Sequence, residues 1–332
     1  MNVATSALPV IAALLAAAAT AALLRWRTHL PIATPNARTL HVAPIPRVGG
    51  LAIWAGFVPV ACIAPASAGL AVGAWGVPWL LLAAVSLRDD MREVSIVPRL
   101  SIHALASVWF AVAVTVTATG EPAIPMGFAV LAALAAAWSL NLYNFMDGND
   151  GLAALMTVLG FASYGVVLLH AGIAPTLPWA LAAATLPVLV VNWPPARIFL
   201  GDVGAVPLGF LAAAMGIGGV IDGAWSAWFP LLVFLSFFAD ATVTLARRAL
   251  RGERFWEGHK THYYQRLHQL GAGHGGTLAV YGALMAGTAG TAVACACLKP
   301  DWGVPALVAW CLVYALLFAA IDYHWRRKAL AT

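Results

Sequence analysis

The sequence predicts an all-α polytopic membrane protein with about eleven transmembrane helices, its N-terminus outside and its C-terminus cytoplasmic. Three observations predict it. Apolar residues make up 62% of the 332-residue chain and charged residues only 9%, with a mean hydropathy of +0.86. A soluble domain carries roughly 25% charged residues to cover its surface. Apolar stretches long enough to span a bilayer, about 17–25 residues, recur along the whole chain. The basic residues fall in short loops between them, almost all on one side.

The spans, in order, cover residues 7–24, 49–66, 69–87, 100–118, 126–145, 152–170, 176–193, 204–221, 227–246, 277–297 and 303–321. The first resembles a signal peptide in length. Its basic residues, Arg25 and Arg27, follow it rather than precede it, so a retained helix is expected. Pro59, Pro78, Pro187 and Pro207 sit inside spans, where neighbouring helices satisfy the freed backbone groups. No internal repeat is visible, which argues against an inverted-repeat transporter.

With the N-terminus outside, loops 25–48, 88–99, 146–151, 194–203 and 247–276 and the tail 322–332 share one side. That side holds every Lys and Arg except Lys299, so the positive-inside rule makes it cytoplasmic. The expected organisation is one integral-membrane domain over residues 1–332, with those loops forming its active face. The opposite loops carry only Glu121, Asp222 and Asp301 as acids. The net charge of +5 then serves orientation and phosphate binding, not nucleic acid. Cys62, Cys295, Cys297 and Cys311 fall in spans as small apolar residues. The Cys295/Cys297 pair lacks the second pair that a zinc site needs.

Five constellations lie on the cytoplasmic side. Asp89 and Asp90 follow the third span. Adjacent carboxylates repel, so a divalent cation or a basic partner is expected beside them. In NLYNFMDGNDGLA, Asn141, Asn144, Asp147 and Asp150 recur every third residue, near one face of a helix end. One such residue could simply cap the sixth span; four exceed that need. In NWPPARIFLGDVG, Pro194 and Pro195 end the seventh span. Asp202 opens the eighth between Gly201 and Gly204, a bare backbone at a helix N-terminus that suits phosphate. Residues 256–267 bring His259, Lys260, His262 and Arg266 together with three aromatic rings, followed by His268 and His274. No Cys partners the histidines, so a cationic phosphate clamp fits better than zinc. Arg38, His41 and Arg47, ahead of Gly49 and Gly50, form a weaker basic loop. Acids imply a cation, most simply Mg²⁺ given hard oxygen donors. Bases and glycines imply phosphate, and the location implies a lipid. The chemistry therefore points to phosphoryl transfer involving a lipid phosphate.

These motifs resemble the polyprenyl-phosphate N-acetylhexosamine-1-phosphate transferases, the family that includes the phospho-MurNAc-pentapeptide translocase. The resemblance is carried by PRVGG, the Asp89-Asp90 pair, NLYNFMDGNDGLA, the F-x-G-D-x-G pattern around Phe199 and Asp202, Asp240 with Arg247-Arg248, and the His-containing last loop. They occur in the family's order across residues 38–274. It implies that undecaprenyl phosphate attacks a UDP-N-acetylaminosugar at the bacterial inner membrane, on the cytoplasmic face. UMP leaves, in the first membrane step of a surface polysaccharide or cell-wall glycan. By motif position, Asp202 with Asn141 or Asn144 would hold Mg²⁺, for which Mn²⁺ can substitute. Asp89 and Asp90 would handle the lipid phosphate, with Asp147 in the acidic cluster. Phe199 would stack on uracil, with Asn192 and Asp150 bonding the base. His259, Lys260 and His262 would hold sugar or diphosphate, with Arg47 and Arg266 as further substrate contacts. A homodimer is suggested by the resemblance alone. The stretch from His259 to Leu267 departs from the run of adjacent histidines of peptidoglycan-type members. It resembles the branch that initiates O-antigen and related polysaccharides, with UDP-GlcNAc, UDP-FucNAc or UDP-QuiNAc as donor. The rival readings are a membrane transporter and a lipid-phosphate phosphatase.

Overall fold

The computed structural model describes residues 3–26, 30, 32–33, 45–65, 71–119, 126–254 and 259–331. Arg27, Arg38, His41, Glu121 and Trp256, named above from the sequence, lie outside the described residues. Thirteen α-helices account for nearly all of the described chain: α1 (Val3–Arg25), α2 (Gly49–Ala61), α3 (Val72–Met91), α4 (Ile96–Thr119), α5 (Met126–Met146), α6 (Leu152–His170), α7 (Thr176–Asn192), α8 (Asp202–Ile221), α9 (Trp228–Val233), α10 (Leu235–Leu250), α11 (Tyr263–Leu267), α12 (Gly273–Leu298) and α13 (Gly303–Ala331). A two-residue antiparallel ladder joins β1 (Ile32–Ala33) to β2 (Ile45–Pro46). Helix is the expected outcome, because in lipid each backbone polar group must be satisfied within its own segment.

Each of the eleven expected spans meets a helix, but they are not alike. Seven helical segments are long and apolar enough to cross a membrane. The second span is a 13-residue helix, about 20 Å long at the usual rise per residue and so shorter than the hydrocarbon core. The ninth span is broken at Phe234 into α9 and α10. α10 carries Asp240, Arg247 and Arg248 on one side and is amphipathic rather than uniformly apolar. α11 and the π-helical turn His268–Ala272 are structure within the last large loop.

α8 is the central helix and is buried over most of its length, whereas α1 and α13 leave most of theirs exposed. It packs on α5 and α3, and α2, α4, α6 and α9 also touch it. The approach of α2 depends on glycine: a Cβ on Gly50 would lie 2.4 Å from the Gly204 Cα. The Trp54 indole N–H then donates to the Val203 carbonyl at 2.7 Å. Polar side chains deep in the bundle find helix carbonyls, as Ser139 does at Gly209 (2.7 Å) and Tyr164 at Ala212 (3.0 Å). This packing fixes the start of α8, and the candidate site is built around that point.

Candidate active site

Residues 46–50 run beside residues 199–200. The Phe199 N–H donates to the Pro46 carbonyl at 2.8 Å, and the Gly49 and Gly50 N–H groups donate to the Phe199 and Leu200 carbonyls at 2.8 and 2.9 Å. This pairing delivers Arg47 to the end of α3. Its guanidinium donates to the Asp89 and Asp90 carbonyls at 3.2 and 3.0 Å and lies 3.6 Å from the Asp90 carboxylate.

Asp90 is buried, and its carboxylate accepts the Asp202 N–H at 3.1 Å and the Val203 N–H at 2.8 Å. Those are orphan donors at the first turn of α8. Burial pushes the Asp90 carboxyl up to about 6, against the pull of these N–H donors and of Arg47. Gly201 makes the approach sterically feasible. Its φ is +73°, and a Cβ there would lie 2.1 Å from the Arg47 carbonyl oxygen and 2.7 Å from an Asp90 oxygen. Asp202 is therefore held at the positive end of a buried helix.

Asp89 turns the other way. It accepts the Val94 N–H at 2.6 Å and Arg99 at 2.8 Å. Burial works against its ionisation, but those partners outweigh it and hold the carboxyl below its usual range. The same Arg99 nitrogen lies 3.7 Å from Asp202, so Arg99 bridges the two acids.

The turn between α5 and α6 brings in Asp147. It is half-buried, and burial together with the charges of Asp202, Asp90 and Asp150 raises its carboxyl well above the usual range. Four carboxylates thus share one local field. Asn141 donates back to the Ala137 carbonyl of its own helix at 2.7 Å and lies beside the buried His103 of α4. Asn144 faces the same end of α5 and is half-buried.

Asp150 and Asn192 hold the loop rather than project from it. The Asp150 carboxylate accepts the Ala196 N–H at 3.0 Å and lies 3.4 Å from His274. Asn192 is buried, accepts the Gly151 N–H at 3.0 Å and donates to the Ile198 carbonyl at 2.8 Å. Both are expected from the sequence to contact a base. Their side-chain atoms instead tie residues 194–198 to the α5–α6 turn. Phe199, half-buried at the end of that loop, is fixed through its backbone by the pairing with Pro46 and Gly49.

The histidines are placed by a second bidentate acid. Asp240 is fully buried and accepts the Tyr263 and Tyr264 N–H groups at 2.9 and 2.8 Å, as well as the Tyr281 hydroxyl. This fixes the first turn of α11. His262, just before it, stacks between Phe145 and His259 with centroids at 5.9 and 4.8 Å. The Tyr264 hydroxyl donates to the Phe145 carbonyl at 2.9 Å, which joins the histidine loop to the Asp147 turn. Burial, then His262 and Arg248, push His259 down to about 3. At neutral pH His259 is therefore a neutral hydrogen-bonding ring, not the cation expected of a phosphate clamp. Lys260 is exposed. Arg266 pairs with Asp322 of α13 at 2.7 Å.

Sequence reasoning missed Arg99, His103 and Asp322, polar residues near the ends of apolar helices with no motif around them. Among the described residues no three His, Cys, Asp or Glu side chains converge at metal-binding distance. The donors present are hard oxygens, and one or two carboxylates completed by phosphate and water are what Mg²⁺ ordinarily takes. Residues of this chemistry could hold such an ion, with Asp202 as first donor and Asp147, in the same field, as second.

Residues 72–220 match the model of glycosyl transferase family 4. The chain is 30% identical over 283 residues to the decaprenyl-phosphate N-acetylglucosaminephosphotransferase of Mycobacterium tuberculosis, covering 73% of this chain and 70% of the relative. It is 26% identical to a probable undecaprenyl-phosphate N-acetylglucosaminyl 1-phosphate transferase of Bacillus subtilis, over 72% of this chain and 70% of that one. It is 31% identical to the phospho-N-acetylmuramoyl-pentapeptide-transferase of a Picosynechococcus species, over 67% of this chain and 61% of the relative.

Proposed function

The chain belongs to glycosyl transferase family 4, and from that premise we propose that it transfers an N-acetylaminosugar 1-phosphate from a UDP-sugar to a polyprenyl phosphate. A lipid phosphate oxygen attacks the sugar-bearing phosphorus of the UDP-sugar. The bond to the bridging diphosphate oxygen breaks, UMP leaves, and a polyprenyl-diphosphate-linked sugar remains. The carrying observation is Asp202, fixed by Asp90 at the start of α8 within one field of four acids. UDP-GlcNAc is the first donor to test, because the M. tuberculosis and B. subtilis relatives are named for that sugar.

Phosphoryl transfer is mainly positioning and charge stabilisation, and each part has a residue. Asp90 positions Asp202. Arg47 and Arg99 balance charge at the lipid-phosphate side, next to Asp89. Phe199 offers a face to the base, and Asn192 and Asp150 shape the loop behind it. His259, as a neutral ring, and His262 beside it meet the sugar or diphosphate. Mg²⁺ on Asp202 would neutralise the diphosphate and the departing UMP. Direct attack needs no protein nucleophile, so it is preferred to a covalent phosphosugar on Asp89 or Asp90. Sugar phosphate bound to the protein when UDP-sugar is supplied without lipid would overturn that preference.

The active face is assigned to the cytoplasm of a bacterial inner membrane, on the strength of the Lys and Arg distribution. A homodimer, part of the same proposal, would be read from light scattering of the detergent-solubilised chain. Transfer itself is tested by incubating the purified chain with radiolabelled UDP-GlcNAc, undecaprenyl phosphate and Mg²⁺. Label entering the lipid fraction supports the reading. Label remaining in water with every UDP-sugar of a panel overturns it.

A further inference from the structure

α11 is held from two directions. Asp240 holds its backbone from below, as described above. Its side chains are held by the far end of α13. Asp322 accepts Arg266 at 2.7 Å and the Tyr263 hydroxyl at 3.2 Å, and it also takes Arg247 from the last turn of α10. One turn earlier, Phe318 lies flat on the Tyr263 ring, with centroids 3.9 Å apart and planes 13° from parallel. The Arg266 guanidinium sits 5.3 Å over that ring and 5.7 Å over Trp325. Lys328, nearly three turns on from Phe318, donates to the Gln269 carbonyl at 2.6 Å. α13 is apolar from Gly303 to Ile321 and basic after it, and Asp322 is its one acid.

An acid at the end of a span could be a solvated charge. This one is only 18% exposed at its side chain and faces two arginines and a hydroxyl. Charge-assisted bonds of this kind are strong and directional. Tyr263 is the residue directly after His262. Whatever fixes Tyr263 fixes the His262 ring between Phe145 and His259.

We propose that Asp322, through Arg266, Arg247 and Tyr263, is a positioning residue that locks the histidine loop against the Asp147 turn for use on the donor's sugar-phosphate end. Arg266 thereby belongs to the lock and not to the substrate. The proposal rests on the transferase reading for its kinetic consequence, but not for its structural one.

The test compares full-length Asp322→Asn and Asp322→Glu with wild type and with Asp301→Asn, an exposed acid at the other end of α13. Two readouts are taken on the purified proteins in nanodiscs. In hydrogen exchange, Asp322→Asn should speed exchange of residues 259–267 by roughly tenfold or more and leave α5 to α8 unchanged. In transfer kinetics, corrected for the folded fraction, it should raise KM for UDP-GlcNAc or lower kcat by roughly tenfold or more. KM for undecaprenyl phosphate should stay within about twofold, Asp322→Glu should recover part of the loss, and Asp301→Asn should match wild type. Wild-type exchange in 259–267 for Asp322→Asn would overturn the lock. Faster exchange with unchanged kinetics per folded molecule would overturn its role in donor handling. If wild type itself transfers no sugar phosphate, the transferase reading fails while the exchange experiment still decides whether the lock exists.

Discussion

The Asp90 carboxylate accepts the backbone N–H of Asp202 at 3.1 Å, so the second acid of the α3 pair sets the position of the first residue of α8. Two acids 112 residues apart thus have different work, and substitutions should separate them. Asp90→Asn places an amide against two N–H donors and should cost about 1–3 kcal/mol of stability, together with activity. Asp202→Asn keeps its backbone bonds. It should melt like wild type yet lose activity by about 100-fold or more. Thermal melts beside transfer rates distinguish the two, and full activity in Asp202→Asn would remove it from the site.

Gly201 is the hinge of that arrangement. Gly201→Ala pushes a methyl into the Arg47 carbonyl and the Asp90 carboxylate and should abolish transfer. Gly252, at φ +71°, has nothing within 4 Å of where a Cβ would sit. Gly252→Ala should cost only the backbone strain, about 1–2 kcal/mol, and leave the transfer rate per folded molecule near wild type. Equal rates for the two variants would show that the close approach at Gly201 does not matter.

His259 carries a pH signature. Its folded value, near 3, lies below the ordinary value of about 6.5. Between those values the unfolded chain binds a proton that the folded chain does not. Stability should therefore fall as pH drops from about 6.5 toward 3. Denaturation midpoints for wild type and His259→Gln across that range isolate the contribution. The variant's curve should be flatter, and parallel curves would mean that His259 is free to charge.

The charge distribution predicts which face of the membrane each loop occupies. In a background lacking the four native cysteines, Lys260→Cys and Asp301→Cys should react with an impermeant maleimide from opposite sides of the membrane. Labelling of Lys260→Cys from the cytoplasmic side of inverted vesicles, and of Asp301→Cys from intact cells, is expected. Labelling of both from one side would contradict the arrangement of the spans.

The helices were legible because a chain this apolar has few alternatives, and each expected span coincides with a helix or a broken pair. Their lengths were less legible. The same apolar composition serves the 13-residue α2, which leans on α8, and a full span exposed to lipid. Asp89, Asp90, Asp147 and Asp202 stand out in the sequence as acids at the ends of apolar helices. Their division of labour does not, since it depends on which backbone N–H groups tertiary packing delivers. Asn192 and Asp150 read as ligand contacts from their motifs, and only the fold reveals their bonds to Gly151, Ile198 and Ala196. Arg99 and Asp322 carried no local signal. Asp202 reaches Arg99, and Arg247 and Arg266 reach Asp322, from helices distant in sequence.

The central claim is transfer of a sugar 1-phosphate, and the identity of the released nucleotide tests it most directly. Chromatography of the aqueous products should find UMP from UDP-GlcNAc, in step with lipid-linked sugar, and only with both polyprenyl phosphate and Mg²⁺ present. Release of UDP or inorganic phosphate instead, or UMP formed equally well without the lipid phosphate, would contradict the account.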